Sequence, residues 1–169
     1  MRWGLTLGIV ALVVAATSLG AAAQSSVGLG LSVETPQIVG VYVDLEPMPG
    51  LLVQGNFGLN VKQQFNLTGF GIKGSYELIP AVAAVAGYTR YGDNNVIAVG
   101  ARYVDRLQSL WGYAGINYQY VLETKKGNLG IEAGGKVGIW QNYFLGFEGG
   151  YRLMEDGTPN LAVYAGYSF

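Results

Sequence analysis

The chain has no cysteine, no histidine and few charges for its length. Without cysteine there is no disulfide framework, no thiolate metal site and no residue to carry a lipoprotein-type lipid anchor. Without histidine the commonest general base is missing, and with it the usual hydrolytic triads. Charged residues make up 12% of the 169 positions, where a soluble domain carries about a quarter. The net charge of −1 shows no excess of either sign, so neither nucleic acid nor a polyanionic substrate is indicated as a partner. Long apolar runs are also missing beyond the N-terminal segment. The longest, Ile79 to Gly87, falls far short of the ~20 residues a membrane-spanning helix needs.

What is present begins with an address. Met1-Arg2-Trp3 supplies a short positive start, Leu5 to Ala16 an apolar core, and Ala21-Ala22-Ala23 before Gln24 a small-residue cleavage pattern. This is the form of a secretory signal peptide over residues 1–23. The alternative, an uncleaved membrane helix, is disfavoured by the shortness of the apolar core. Cleavage removes Arg2 as the one charge in that segment. It leaves residues 24–169 as a single domain.

Glycine (27 residues) and tyrosine (12 residues) are abundant, and the dominant pattern from Gln24 onward has period two. Val39, Val41, Val43 and Leu45 alternate with Gly40, Tyr42 and Asp44. Ile116, Tyr118 and Tyr120 alternate with Gly115, Asn117 and Gln119. Leu129, Ile131, Ala133 and Val137 alternate with Gly130, Glu132 and Lys136. Successive strand side chains point to opposite faces, so each run has one apolar face and one polar or small face. Nine turn segments rich in Gly, Pro, Asn and Asp separate the runs. They predict an all-β chain of ten strands, or eight if the first hairpin and the valine-rich second strand do not separate. An even number of strands of this length fits a closed antiparallel up-and-down transmembrane barrel.

The content of the polar face argues which side meets lipid. It carries Asp44, Lys73, Glu77, Arg90, Arg102, Glu132, Lys136, Glu148 and Arg152, nearly balanced in sign and interleaved with glycine. Such a set suits charges paired across a narrow lumen, whereas a soluble exterior carries denser Lys and Glu. Glu132 and Lys136, Lys73 and Glu77, and Glu148 and Arg152 stand four apart and read as salt-bridged lumen packing. Trp111, Tyr113, Trp140 and Phe144 are expected to point inward with them. Tyr76, Tyr103, Tyr118, Tyr120, Tyr143 and Tyr151 fall towards strand ends on the apolar face, the position of an aromatic girdle.

The chain ends Leu161-Ala-Val-Tyr-Ala-Gly-Tyr-Ser-Phe169, with Leu161, Val163, Ala165, Tyr167 and Phe169 on one face. This segment resembles the C-terminal assembly signal of Gram-negative outer-membrane barrels, although Gly166 and Tyr167 depart slightly from the commonest spacing. At the level of pattern, residues 24–169 resemble the small OmpA/OmpX-type barrels. The resemblance implies an outer-membrane location in a Gram-negative-type bacterium, a monomer in outer-membrane lipid, and passage through periplasmic chaperones and the barrel assembly machinery. Barrel enzymes of that membrane (palmitoyltransferases, deacylases, phospholipases, omptin proteases) depend on histidine, so their mechanisms do not carry over.

No cofactor, metal site or catalytic group is expected. The glycines at 28–30 and 69–74 fall on strand periodicity with no helix after them, which excludes a phosphate loop. Asp93-Asn94 and Glu155-Asp156 lack the spacing of a calcium loop. Three functions are compatible with this reading: a structural envelope protein with a side-chain-filled lumen, a narrow channel for ions or small solutes, and a soluble exported lipocalin-like barrel with its apolar face inward.

Overall fold

The computed structural model describes residues 24–32, 38–60, 66–107, 110–153 and 159–169, with the side chains of Gln24, Ser32, Ile38, Asn66, Tyr91, Leu107 and Arg152 left aside. The expected signal peptide, 1–23, lies outside the described residues. Ten strands follow one another: β1 (Gln24–Ser32), β2 (Ile38–Met48), β3 (Leu51–Asn60), β4 (Asn66–Ile79), β5 (Val82–Tyr91), β6 (Asn94–Leu107), β7 (Leu110–Val121), β8 (Lys126–Trp140), β9 (Tyr143–Arg152) and β10 (Asn160–Ser168). Each pairs antiparallel with its sequence neighbours, and β1 pairs with β10 from Ser26↔Ser168 to Ser32↔Ala162. The sheet is therefore a closed barrel with no free edge. The ten-strand expectation holds, and the first hairpin does form two strands.

Several strands run further than the turn signals suggest. Chain reversal between β2 and β3 is confined to Pro49-Gly50, where Gly50 takes a positive φ of 80°. That conformation is open to glycine and costly for other residues. Between β4 and β5 the reversal is Pro80-Ala81, and between β8 and β9 it is Gln141-Asn142. Both chain ends of the barrel and these short turns lie at one rim. The last residues of β1, β3, β5, β7 and β9 lie at the other.

Register decides what faces out. Ile72, Val99, Ile116, Ile131, Leu145 and Val163 all project from the outer wall and are exposed, Ile116 to 63%. On β1–β3 the outward side chains pack more closely, Val41, Val43 and Leu59 gathering with Val27, Leu45 and Phe57. The inward wall is glycine-rich where flat rings lie against it. A Cβ on Gly134 would sit 2.6 Å from the Tyr113 ring, and one on Gly146 would sit 2.4 Å from the Tyr164 ring. Glycine at these sites forgoes β-propensity to seat an aromatic side chain in a narrow bore.

The interior is layered. Near the short-turn rim Ala83, Val104 and Tyr113 pack with Trp111 into a buried apolar plug. Charged side chains fill mid-height. A chamber of about 570 Å³ reaches from them towards the opposite rim.

Candidate functional site

The mid-lumen cluster draws one or two polar side chains from each of seven strands. Arg102 (β6) is fully buried and sits at its centre. Its Nη2 donates to Glu132 Oε1 (β8) at 2.9 Å and its Nη1 to Gln54 Oε1 (β3) at 2.8 Å. The guanidinium lies over the Tyr113 ring, 4.2 Å from its centroid. Arg102 Nε has no hydrogen-bond partner. Glu132 accepts a second charge-assisted bond from Lys73 Nζ (β4) at 2.6 Å. Gln54 in turn donates to Asp44 (β2) at 3.3 Å. Asp44 is ion-paired with Lys136 (β8), which also donates to Ser26 Oγ (β1) at 2.6 Å. The Lys136 ammonium stands 4.8 Å from the Phe144 ring centroid and 5.8 Å from that of Trp111. Glu148 (β9) faces the same space and is hydrogen-bonded by the Asn56 amide.

Six of the nine charges expected in the lumen are thus brought together: Asp44, Lys73, Arg102, Glu132, Lys136 and Glu148. The pairing differs from expectation. Residues four apart on one strand are about 13 Å apart along the chain, too far to bond. Glu132 pairs with Lys73 and Arg102, and Lys136 with Asp44, all from other strands.

Glu77 points inward but belongs to a second cluster at the short-turn rim. There Arg106 Nη2 lies 2.8 Å from Glu77 and 3.6 Å from Glu46. The sequence reading missed Arg106 and Glu46, although the alternation Arg102, Val104, Arg106 already gives Arg106 the inward parity.

Arg90 is a correction. It registers with Phe70 on β4 and Asn95 on β6, and directly opposed residues share a face. Phe70 faces out, so Arg90 stands at the outer lip of the loop-side rim and reaches back to the Gly92 carbonyl. Trp140 is another correction. A register shift between Gly138 and Trp140 turns it outward, where it is exposed and stacks on Tyr143 at 6.0 Å. The Arg152 side chain lies outside the described residues.

The outward tyrosines sort by height. Tyr76, Tyr103 and Tyr143 project outward nearer the short-turn rim, and Tyr118, Tyr120 and Tyr151 nearer the loop rim. Trp140, Tyr143, Tyr167 and Phe169 form a continuous aromatic ladder across β8, β9 and the C-terminus. Leu161, Val163, Ala165, Tyr167 and Phe169 all face out. Beyond the last strand, the Phe169 amide donates to the Ser25 carbonyl at 2.8 Å.

At the loop rim Glu123, in the turn after β7, accepts from the Asn95 backbone amide at 2.8 Å and from the Asn95 side chain. The backbone donor first, then the side-chain donor, holds the Glu123 carboxyl below the usual carboxylate range.

A closed sheet whose exterior is apolar and whose interior is ion-paired defines a transmembrane β-barrel. A soluble barrel buries its apolar face, and this register does the reverse. Among the described residues no helix is long and apolar enough to cross a membrane, so the crossing is made by strands.

No family profile matches the sequence, and no curated protein matches it. Some solved structures are similar in fold. A chain from a de novo design of transmembrane β-barrels superposes with a TM-score of 0.47 at 15% identity, covering 87% of this chain and 94% of that one. The designed barrel TMB2.3 gives 0.46 at 14% identity, over 86% and 92%. The N-terminal β-barrel domain of Pseudomonas aeruginosa OprF gives 0.43 at 15% identity, over 87% and 96%. These likenesses are loose, and the assignment above stands on strand order and on which face is apolar.

Proposed function

We propose that the chain, after removal of residues 1–23, is an integral outer-membrane barrel with a structural envelope role and a lumen shut at mid-height. One observation carries this reading: the Arg102 side chain has no solvent-accessible surface although it stands in the bore of a ten-stranded barrel. Ion pairs from opposite walls and the apolar plug of Ala83, Val104, Tyr113 and Trp111 beneath fill the space that a pore would need. The two tyrosine belts support a membrane position with aromatic rings at both headgroup levels. The outward row ending in Phe169 supports recognition by the assembly machinery, and the exposed apolar side chains of the outer wall support a monomer in lipid.

A second reading, a narrow channel, is favoured by the chamber above the cluster, which already makes part of the bore empty. Single-channel recording of the refolded protein, lacking residues 1–23, in a planar bilayer separates the two. Silence from protein shown to be folded is the expected result. Discrete conductance steps whose ion selectivity changes in Lys136→Glu would establish the channel instead.

A further inference from the structure

The chamber above the ion cluster is electrically lopsided. Among the described side chains, Asp44, Glu132 and Glu148 line it together with two cations, Lys73 at mid-height and Arg90 at the loop-side lip. The cations that balance the cluster as a whole are withdrawn from it. Arg102 is buried against Glu132 and Tyr113, and Lys136 is turned away towards Ser26 and Phe144. Asp44 and Glu132 are each compensated by a contacting cation, so the negative charge left facing the chamber is that of Glu148, and low-dielectric walls concentrate its field.

Within this set Glu148 differs from its neighbours. Glu132 is held by two cations and Asp44 by one. Among the described residues Glu148 forms no ion pair; Lys73 acts on it at longer range, and its hydrogen-bond partner is the neutral Asn56 amide. A carboxylate so placed has acceptor capacity left over and faces open volume. Beside it Tyr42 and Tyr164 stack with their ring centroids 4.4 Å apart. Among the described side chains, the wall above carries hydrogen-bonding amides, Asn117, Gln119 and Asn160. The mouth reaches exposed residues at the loop rim, Thr89 and Asn94 among them.

From this geometry we infer that the chamber binds small aliphatic amine cations, with the ammonium group on Glu148 and the chain along the Tyr42–Tyr164 wall. A bare metal ion fits less well. Among the described residues no three acidic side chains converge to hold one, and the volume is that of a small-molecule pocket. Anions are disfavoured by the excess of carboxylates. The inference is independent of the shut floor, because a solute can enter and leave by the loop rim alone.

The probe is 1,4-diaminobutane, compared with its uncharged isostere 1,4-butanediol and with sodium chloride at matched ionic strength. Each is titrated into the folded barrel in detergent micelles while the Asn56 side-chain amide is followed by NMR. The expected result is a saturable shift with the diamine alone. Glu148→Gln, with folding checked by its gel shift before and after boiling, is expected to weaken it by about tenfold or more. Glu77→Gln, at the opposite rim, is expected to leave it unchanged. An equal response to butanediol, no saturation with the wild-type protein, or undiminished affinity in folded Glu148→Gln would each overturn the inference. The wild-type comparison stands even if the variant does not fold.

Discussion

Removing the charge of Glu132 should cost far more than its two ion pairs would suggest on a protein surface. In Glu132→Gln the shape is kept but the counter-charge of two cations is lost. Lys73 is 30% exposed and borders the chamber, so it can turn towards water and Glu148. Arg102 has no such recourse. It is fully buried, its Nε is already without a partner, and only neutral Gln54 and the Tyr113 ring remain. Stranding a buried cation costs about 3–5 kcal/mol, whereas removing both partners costs much less. The expected loss in Glu132→Gln is therefore ~3 kcal/mol or more. Adding Arg102→Met should recover most of it, giving a coupling of about 2 kcal/mol in the double-mutant cycle. Arg106→Ala is the internal control, since that guanidinium is 49% exposed and such a pair is worth about 1 kcal/mol or less. Urea unfolding in lipid vesicles, followed by tryptophan fluorescence, measures all four. A loss below ~1 kcal/mol in Glu132→Gln, or one equal to that of Arg106→Ala, would mean that water reaches Arg102. The bore would then not be shut at mid-height.

Three further outcomes test other parts of the account. Ile116→Arg, at the middle of β7 on the outer wall, should cost about 2–4 kcal/mol in a bilayer, and Ile116→Leu almost nothing; an indifferent Arg would refute the lipid-facing assignment. Gly100→Ala places a Cβ 2.2 Å from the Ile116 carbonyl oxygen and should destabilise by about 1–3 kcal/mol, whereas Gly55→Ala meets nothing nearer than 3.9 Å and should leave the unfolding midpoint in place. Glu123 should titrate below an ordinary glutamate by NMR, and Asn95→Ala should raise its midpoint part of the way because the backbone donor stays. Its folded value is the lower one, so its contribution to stability is present above the unfolded value near about 4.3 and fades as pH falls through the folded value.

The barrel was legible wherever polarity marks the face. In β2, β7, β8 and β10 apolar and small or polar residues alternate cleanly, and the charges at inward parity all arrive in the lumen. Strand β5 is different. Val82-Ala-Ala-Val-Ala-Gly87 is small and apolar on both faces, so nothing local states which way Arg90 points, and only its register with Phe70 decides. Trp140 was misread for another reason: a bulge two residues from the strand end shifts parity without a sequence mark. Glu46 sits beside Pro47 and Pro49, which read as turn although β2 continues to Met48. The pairing of Glu132 with Arg102 and Lys73 was not legible at all. It depends on closure, which brings β4, β6 and β8 to face one another across the bore, and no spacing along a single strand encodes that.

The charges also act on the strand that lacks them. A one-residue slip in a strand sends every side chain to the opposite face. In β4 and β6 such a slip would put Lys73 or Arg102 into lipid and strand Glu132 in the lumen, so the register of these two strands is strongly specified. Strand β5 carries no comparable penalty within its own described lumen-facing residues, Ala83, Val85, Gly87 and Thr89. It is paired along its whole length with β4 on one side and β6 on the other, and takes its register from them. The ion cluster thus does two things with the same atoms. It closes the bore, and it fixes the alignment of a wall whose weakest strand could not align itself. Its loss should accordingly show first as mispaired or slowly assembling barrel, before any change in the fold that is finally reached.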